Sequence, residues 1–461
     1  MSENTKPTAA PATGDKPATT ARDRAKAPRD YDIGCFPRPF YFSFLGSRII
    51  VPIVCAFTHI KVKPDMEFVN HEGPIIVIAN HESYLDPMIT NKLTKARPAN
   101  FVTGEFVFRA PAWGHWFKLG GAIPKKQFVV DTVAVKAMMK VMKRKGVLIV
   151  YPEATRHVDG KSVTFDDGIA RLAKKAGASI YIEHIHGAYL TWPRWSQSGM
   201  RKGKITSEFV KKIYSDEVKE LSIEELHQKI LDAVNYDENE WNREHKVEFK
   251  SKRLAAGLQN IAYACPRCGH EFTMRFLDHG KRDLIQCCEC GNAVRYLPTG
   301  MLEKADPQCI IFDDLHKWVE WERGIIAEEL KAGDFRMEMD ADLFKVYDRF
   351  TFAKTGAGRI TITDKEITYT GTDCPAEQGI PFKKGKPMKG FRNRTLDPNA
   401  AKETKVFEID TMRGLVASYG KYFEIYDRDG ELFRFYVDGQ KVFKVHEIVS
   451  LLGKKAKGNT N

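Results

Sequence analysis

"PIIVIANHESYLDP", Pro74 to Pro87, is the stretch on which the fold turns. Ile75 to Ile78 form a short apolar run of β-branched residues, the pattern of a strand buried on both faces. The run breaks at Asn80 and meets Asp86-Pro87, a good helix start: Pro tolerates the first helical position and Asp can accept free N–H groups. A strand passing straight into a helix is the repeating step of a parallel α/β sheet. His81 then lies at the mouth of that sheet, where such folds hold ligands, with a carboxylate five residues on. If Asp86 accepts from one ring N–H, the other nitrogen is left as an acceptor near neutral pH, able to deprotonate a hydroxyl. The spacing by itself is weak, since about one histidine in twenty has such an aspartate by chance.

The neighbouring sequence extends the pattern. "NFVTGE" (100–105), "GAIPK" (121–125), "GVLIVYPE" (146–153) and "ASIYIEHI" (178–185) read as strands. "VVDTVAVKAMMKVMKRKG" (129–146) and "DDGIARLAKKAG" (166–177) carry apolar residues at helical spacing and end in Gly. Ser222 and Glu225 form a capping box ahead of "LHQKILDAV". The expectation is an α/β domain with a mainly parallel sheet.

Two further stretches keep company with His81. "YPEATRHVDGKS", Tyr151 to Ser162, closes a later strand, and "FKLGGAIPKK", Phe117 to Lys126, lies between. In order and spacing these resemble the glycerolipid acyltransferase family, which acylates glycerol-3-phosphate or lysophosphatidic acid. That family's first block is N-H-x-x-x-x-D, matched by Asn80, His81 and Asp86; its third is F-P-E-G-T-R, matched by Tyr151, Pro152, Glu153, Thr155 and Arg156, with Ala154 for Gly. The second block is looser, with Lys125 or Lys126 where Arg is expected, and the fourth, "SIYIEHIHG", lacks its usual Pro. The resemblance spans residues 36–241.

It implies His81 as general base and Asp86 as its orienting partner. Asn80, Lys125, Lys126, Glu153, Thr155 and Arg156 then form the substrate-binding set, the cations holding the acceptor's phosphate. Glu153 would bind an acceptor hydroxyl or orient Arg156; the plain structural alternative is an ion pair between the two. Asp86 is also expected to cap its helix. Ala154 leaves two options: an acceptor seated differently, or a turn that never needed positive φ. The implied donor is an acyl thioester, acyl-CoA or acyl carrier protein, and the implied acceptor a lysophospholipid. Glycerol-3-phosphate or another lipid hydroxyl is the alternative acceptor.

The chain of 461 residues is long enough for several domains, and its net charge of +12 favours an anionic partner. Nine cysteines include "CPRCGHEF" and "CCECGNAV". Cys265, Cys268, Cys287 and Cys290 supply four thiolates for a structural zinc, a pattern that resembles a zinc ribbon. A redox dithiol would need only one such pair. Apart from the basic "HGKRD" beside the ribbon nothing resembles nucleic-acid readout, although a nucleic-acid- or protein-binding adaptor on a degenerate acyltransferase fold is the competing class.

"FYFSFLGSRIIVPIVCAFTHI" (40–60) is apolar but interrupted by Arg48 and Pro52. It reads as a helix lying in a membrane interface, ahead of a buried core helix or a full span of about 20 residues. The protein is thus expected at the cytoplasmic face of a membrane, peripheral or monotopic. Trp113, Trp116 and Phe117, at helical spacing, read first as core.

After Phe335 some seven strands and a closing helix, "KVFKVHEIVSLLG", resemble a pleckstrin- or GRAM-like domain. Its loop "PFKKGKPMKGFRNRT" (381–395) could face an anionic membrane surface. The expected organisation is a disordered tail (1–35), an acyltransferase domain (36–245), a zinc ribbon (246–304), a helical linker (305–334), the strand-rich domain (335–454) and a tail (455–461). The first thirty residues lack the apolar core of a signal peptide.

Overall fold

A computed structural model describes residues 32–456 except 110, 129–130, 280–281, 349–350, 398–399 and 413. The segments 1–31 and 457–461, expected as tails, and Lys281 of the basic stretch lie outside the described residues.

The α/β expectation holds. Strands β1 (Ile75–Ala79), β2 (Ala99–Gly104), β3 (Ile123–Lys125), β4 (Val147–Val150), β5 (Ser179–His186) and β6 (Thr206–Ile213) form one sheet in the order β3-β2-β4-β1-β5-β6. All pairs are parallel except β5 with β6. Successive side chains of a strand point to opposite faces. Ile76, Ile78, Leu148, Val150, Ile180 and Ile182 therefore share one core with the helices Thr132–Lys143, Gly168–Ala176 and Ile223–Val234. Ile75, Val77, Val147, Ile149 and Tyr181 face the other way, against Phe42 and Phe68. Each fully buried aliphatic side chain is worth about 1.5–3 kcal/mol, so the uninterrupted apolar strands are themselves the cause of the three-layer arrangement.

The register fixes where chemistry can occur. Ile78 pairs with Val150 on one side and Ile182 on the other, so the segments following β1 and β4 leave the sheet side by side. His81 and the Tyr151–Arg156 turn are thereby neighbours. The helix Asp86–Leu93 begins where expected, but Asp86 does not cap it: Leu85 is the capping residue, with no side-chain cap bond. The carboxylate is turned back into the loop, as described below.

Helical residues Phe40–Thr58 make a segment of 19 residues, long and apolar enough to cross a membrane. Phe40, Phe44, Ile49, Ile53 and Phe57 are exposed, while Phe42, Val51 and Cys55 are buried against the domain.

Beyond residue 250, β7 (Met274–His279), β8 (Arg282–Cys287), β9 (Ala293–Tyr296) and β10 (Leu302–Lys304) form an antiparallel sheet beside the cysteines. The helix Leu315–Lys331 follows, then a sheet of nine strands, more than the seven expected. These are β11 (Arg336–Val346), β12 (Phe352–Thr363), β13 (Glu366–Thr372), β14 (Ile380–Lys383), β15 (Lys386–Pro387), β16 (Lys402–Glu408), β17 (Val416–Ser418), β18 (Tyr422–Tyr426) and β19 (Leu432–Tyr436). Strand β12 pairs β14 through Phe352–Lys354 and β13 through Gly358–Ile362, so the sheet branches there. Segments read separately in the sequence share one core: Tyr263, Ile285, Trp318, Leu343, Phe435 and Phe443 belong to a single buried cluster, which also takes in Val158 and Trp195 from the first half.

Candidate active site

The loop leaving β1 wraps around one carboxylate. Asp86 Oδ2 accepts from Glu82 N at 2.8 Å and Ser83 N at 3.0 Å, and Oδ1 accepts from the Ser83 hydroxyl at 3.0 Å. The same Oδ2 lies 2.7 Å from His81 Nδ1. Asp86 is fully buried while 23% of the His81 side chain remains exposed. An oxygen placed to accept from the ring makes Nδ1 the donor nitrogen, leaving Nε2 as the acceptor. Nε2 has no hydrogen-bond partner among the described residues. The ring stacks on Tyr151, centroids 4.7 Å apart. The Tyr151 hydroxyl, absent from the Phe of the family pattern, lies 3.2 Å from Thr90 Oγ1. Thr90 and Ser207 in turn donate to Glu183 at 2.7 and 2.6 Å, and burial pushes this carboxyl up to about 7.

The remaining motif residues divide into two groups. Asn80 is fully buried and its amide is used within the protein: Oδ1 accepts from Ile185 N at 2.8 Å, and Nδ2 donates to Ile185 O at 3.0 Å and Glu82 Oε1 at 2.6 Å. It fastens the end of β1 to β5. Glu153 is also buried and makes no ion pair with Arg156 among the described residues; its partner is His157 Nε2. His157 Nδ1 stands 3.0 Å from Glu82 Oε1, and its backbone N–H donates to His81 O at 2.8 Å. Burial alone would push the His157 pKa down, but the Glu153 and Glu82 carboxylates outweigh it and hold the imidazole well above its ordinary range. The result is a buried cation between two acids that ties the His81 loop to the Arg156 turn.

Arg156 faces the mouth. Its guanidinium carbon lies 3.7 Å from the centre of the Tyr84 ring, and no carboxylate is within ion-pair distance among the described residues. Burial, with a smaller contribution from nearby Arg194, pushes it down to about 10, so it stays charged at neutral pH. Thr155 is half-buried on the same turn, its N–H donating to Glu153 O at 2.7 Å. Ala154 adopts φ 62°, so the turn does require the left-handed conformation that Gly would supply without strain. Its carbonyl accepts from Gln127 Nε2 at 2.6 Å, which brings the loop after β3 to the site. At the end of β3 Lys125 Nζ donates to Lys126 O at 3.3 Å, and in the loop the Lys126 N–H donates to Asp131 at 3.0 Å.

Sequence reasoning passed over Glu82 and His157, although each directly follows a motif residue. A charged residue on either side of the meeting point of two blocks was the available signal. His184 and His186 bond within the protein: His184 Nε2 meets Ala233 O at 2.8 Å and His186 Nδ1 meets Tyr236 Oη at 2.9 Å.

The four cysteines converge. Cys265 Sγ to Cys290 Sγ is 3.6 Å, Cys268 Sγ to Cys287 Sγ is 3.8 Å, and all four sulfurs lie within 4.8 Å of one another. Four sulfurs at about 2.3 Å from a tetrahedral zinc are about 3.8 Å apart, so the arrangement fits that ion. Gly269 and Gly291 take φ 74° and 73° in the turns behind each pair.

Residues 59–182 match the Acyltransferase family, a segment that contains both motif blocks. A chloroplast 1-acyl-sn-glycerol-3-phosphate acyltransferase of Brassica napus is 26% identical over 168 residues, covering 36% of this chain and 47% of that protein. One from Arabidopsis thaliana is 24% identical over the same length, covering 36% and 46%. The chain thus spans about half the length of these curated relatives. The crystal structure of the 1-acyl-sn-glycerophosphate (LPA) acyltransferase PlsC from Thermotoga maritima aligns at 20% identity over 41% of this chain and 79% of that one, with a TM-score of 0.33. Residues 59–182 thus resemble acyltransferases, and the curated relatives that the chain resembles in part are 1-acyl-sn-glycerol-3-phosphate acyltransferases.

Proposed function

We propose that the protein transfers a fatty acyl group from acyl-CoA or acyl carrier protein to the free hydroxyl of lysophosphatidic acid, giving phosphatidic acid. The observation that carries this is the pairing of a histidine, oriented by a buried carboxylate and free at Nε2, with the half-buried, carboxylate-free Arg156 at the same mouth. His81 Nε2 takes the proton of the acceptor hydroxyl as its oxygen attacks the thioester carbonyl. The imidazolium so formed is stabilised by Asp86. Collapse of the tetrahedral intermediate breaks the C–S bond, and the proton on Nε2 goes to the departing thiolate. Arg156 holds the acceptor's phosphate in a guanidinium fork, with Thr155 and the loop of Lys125 and Lys126 beside it.

The Cys265, Cys268, Cys287 and Cys290 thiolates would hold a zinc ion, which would serve there as a cross-link of the ribbon. The protein works at the cytoplasmic face of a membrane as a monotopic or peripheral enzyme. Supporting this are the exposed Phe40, Phe44, Ile53 and Phe57 and the exposed lysines 383, 384, 386 and 389 on the β14–β15 hairpin and its flank. The strand-rich region acts as a pleckstrin-like docking domain.

The test is thiol release from acyl-CoA and from acyl carrier protein with lysophosphatidic acid present or absent. Acceptor-dependent release that disappears in His81→Ala is expected. Release with neither donor, or full activity in the variant, refutes the reading.

A further inference from the structure

A second guanidinium stands at the mouth of the site, carried by none of the motif blocks. Arg194 follows β5 and the short helix Ala188–Thr191, and it reaches into the C-terminal region. It donates to Ala417 O, and its guanidinium carbon lies 4.7 Å from the centre of the Tyr419 ring. Tyr84, which Arg156 covers at 3.7 Å, makes an edge contact at 5.1 Å with Trp192, two residues before Arg194. The two arginines are therefore linked through a pair of packed rings. Both are half-buried, and neither has a carboxylate within ion-pair distance among the described residues. Like charges gathered without a counter-charge repel one another, and a phosphate monoester, carrying close to two negative charges, supplies the missing counter-charge.

The wall that presents Arg194 is firmly placed. A Cβ at Gly414 would lie 2.4 Å from the Phe128 ring, so the segment leading to Ala417 lies directly against the loop of Lys125 and Lys126. Below it, Arg323 bonds Glu447 at 2.6 Å and reaches Asp159 at 3.4 Å, and His316 meets the same Asp159 oxygen at 3.0 Å. Asp159 stands three residues after Arg156, and Glu447 lies on the closing helix Lys441–Ala456.

We infer that Arg194, held by Ala417 and Tyr419, is a second phosphate-binding residue, and that the C-terminal strand-rich region thereby completes the acceptor site and selects phosphate monoesters. This rests on the acyl-transfer reading for the identity of the acceptor. The full chain in detergent is assayed two ways: equilibrium binding of a short-chain lysophosphatidic acid, and steady-state transfer to it. Arg194→Gln is expected to weaken binding and raise KM by about 10- to 100-fold, the loss of a charged hydrogen bond, while kcat stays within about threefold. Arg194→Lys, which keeps a donor to Ala417, recovers part of the loss. Tyr419→Phe, which keeps the ring but loses the hydroxyl that accepts from Arg194 at 3.5 Å, binds somewhat more weakly than the native chain, and Tyr419→Ala more weakly still. A native chain that binds the lipid through Arg194 but transfers nothing removes the acyl-transfer reading and leaves the phosphate site standing. Native transfer with an unchanged KM and affinity in both Arg194 variants removes the inference and leaves the reaction standing.

Discussion

Replacing Asp86 by Asn isolates the charge from the shape. The amide oxygen can keep the Oδ2 position, accepting from Glu82 N and facing His81 Nδ1, while the NH2 takes the place of Oδ1 beside the Ser83 hydroxyl, which can turn to accept. What disappears is a negative charge whose oxygen lies 2.7 Å from the ring nitrogen. Two opposite unit charges about 4 Å apart attract by about 4 kcal/mol at an effective dielectric of 20. The imidazolium exists only as the hydroxyl is deprotonated, so nearly all of that falls on the transition state: at 1.36 kcal/mol per decade it is roughly a thousandfold in rate. The assay is the initial rate of thiol release from acyl-CoA with lysophosphatidic acid, across roughly pH 6–9. A fall in kcat/KM of about a thousandfold is expected, with KM little changed. A folded variant that loses less than about tenfold would show that Asp86 merely holds the loop, and the general-base mechanism would fail with it.

Three further outcomes test other parts of the structure. Ala154→Gly should stabilise the protein by about 1 kcal/mol, since a side chain in the left-handed region costs about 1–2 kcal/mol and Gly gives some back as unfolded-state entropy; an unfolding midpoint that does not rise contradicts the strained turn. Glu183, raised by burial from 4.5 to about 7, contributes stability that is complete below its unfolded pKa and lost as pH rises through 7. That loss is about 3 kcal/mol, so Glu183→Gln should gain on the native chain between pH 5 and 8, whereas parallel profiles would place the carboxyl in water. Metal analysis should give about one zinc per chain, and Cys287→Ser should lower both zinc content and thermal midpoint; a folded, metal-free sample would remove the ribbon reading.

The half of the fold that was legible in the sequence is the half built from local signals. Ile75–Ile78 and Val147–Val150 announce strands because apolar runs of that length have one use in an α/β domain, and His81 and Arg156 announce a site because two blocks repeat a known order. Conformation at one residue was not legible. Ala154 gives no sign of φ 62°, because the strain is imposed by the turn around it and by Gln127. Nor was pairing across the chain. Glu153 was read toward Arg156, three residues on, whereas the fold gives it to His157 and links that to Glu82, 75 residues earlier. Asp86 looked like a cap because Asp-Pro begins helices, yet the amides of Glu82 and Ser83 reach its oxygens first. Strand order in the C-terminal sheet, with β12 shared between two partners, depends on long-range pairing that alternation alone does not specify.

Val158 and Trp195 lie in the core that Phe443 and the C-terminal strands complete. During synthesis the residues of the Tyr151–Arg156 turn leave the ribosome well before the helix Lys441–Ala456 exists to complete that core. Val158 stands two positions after Arg156, so the turn that carries the guanidinium is anchored in this shared core. A chain cut before that helix therefore lacks Glu447, and with it the bond that holds Arg323 beside Asp159.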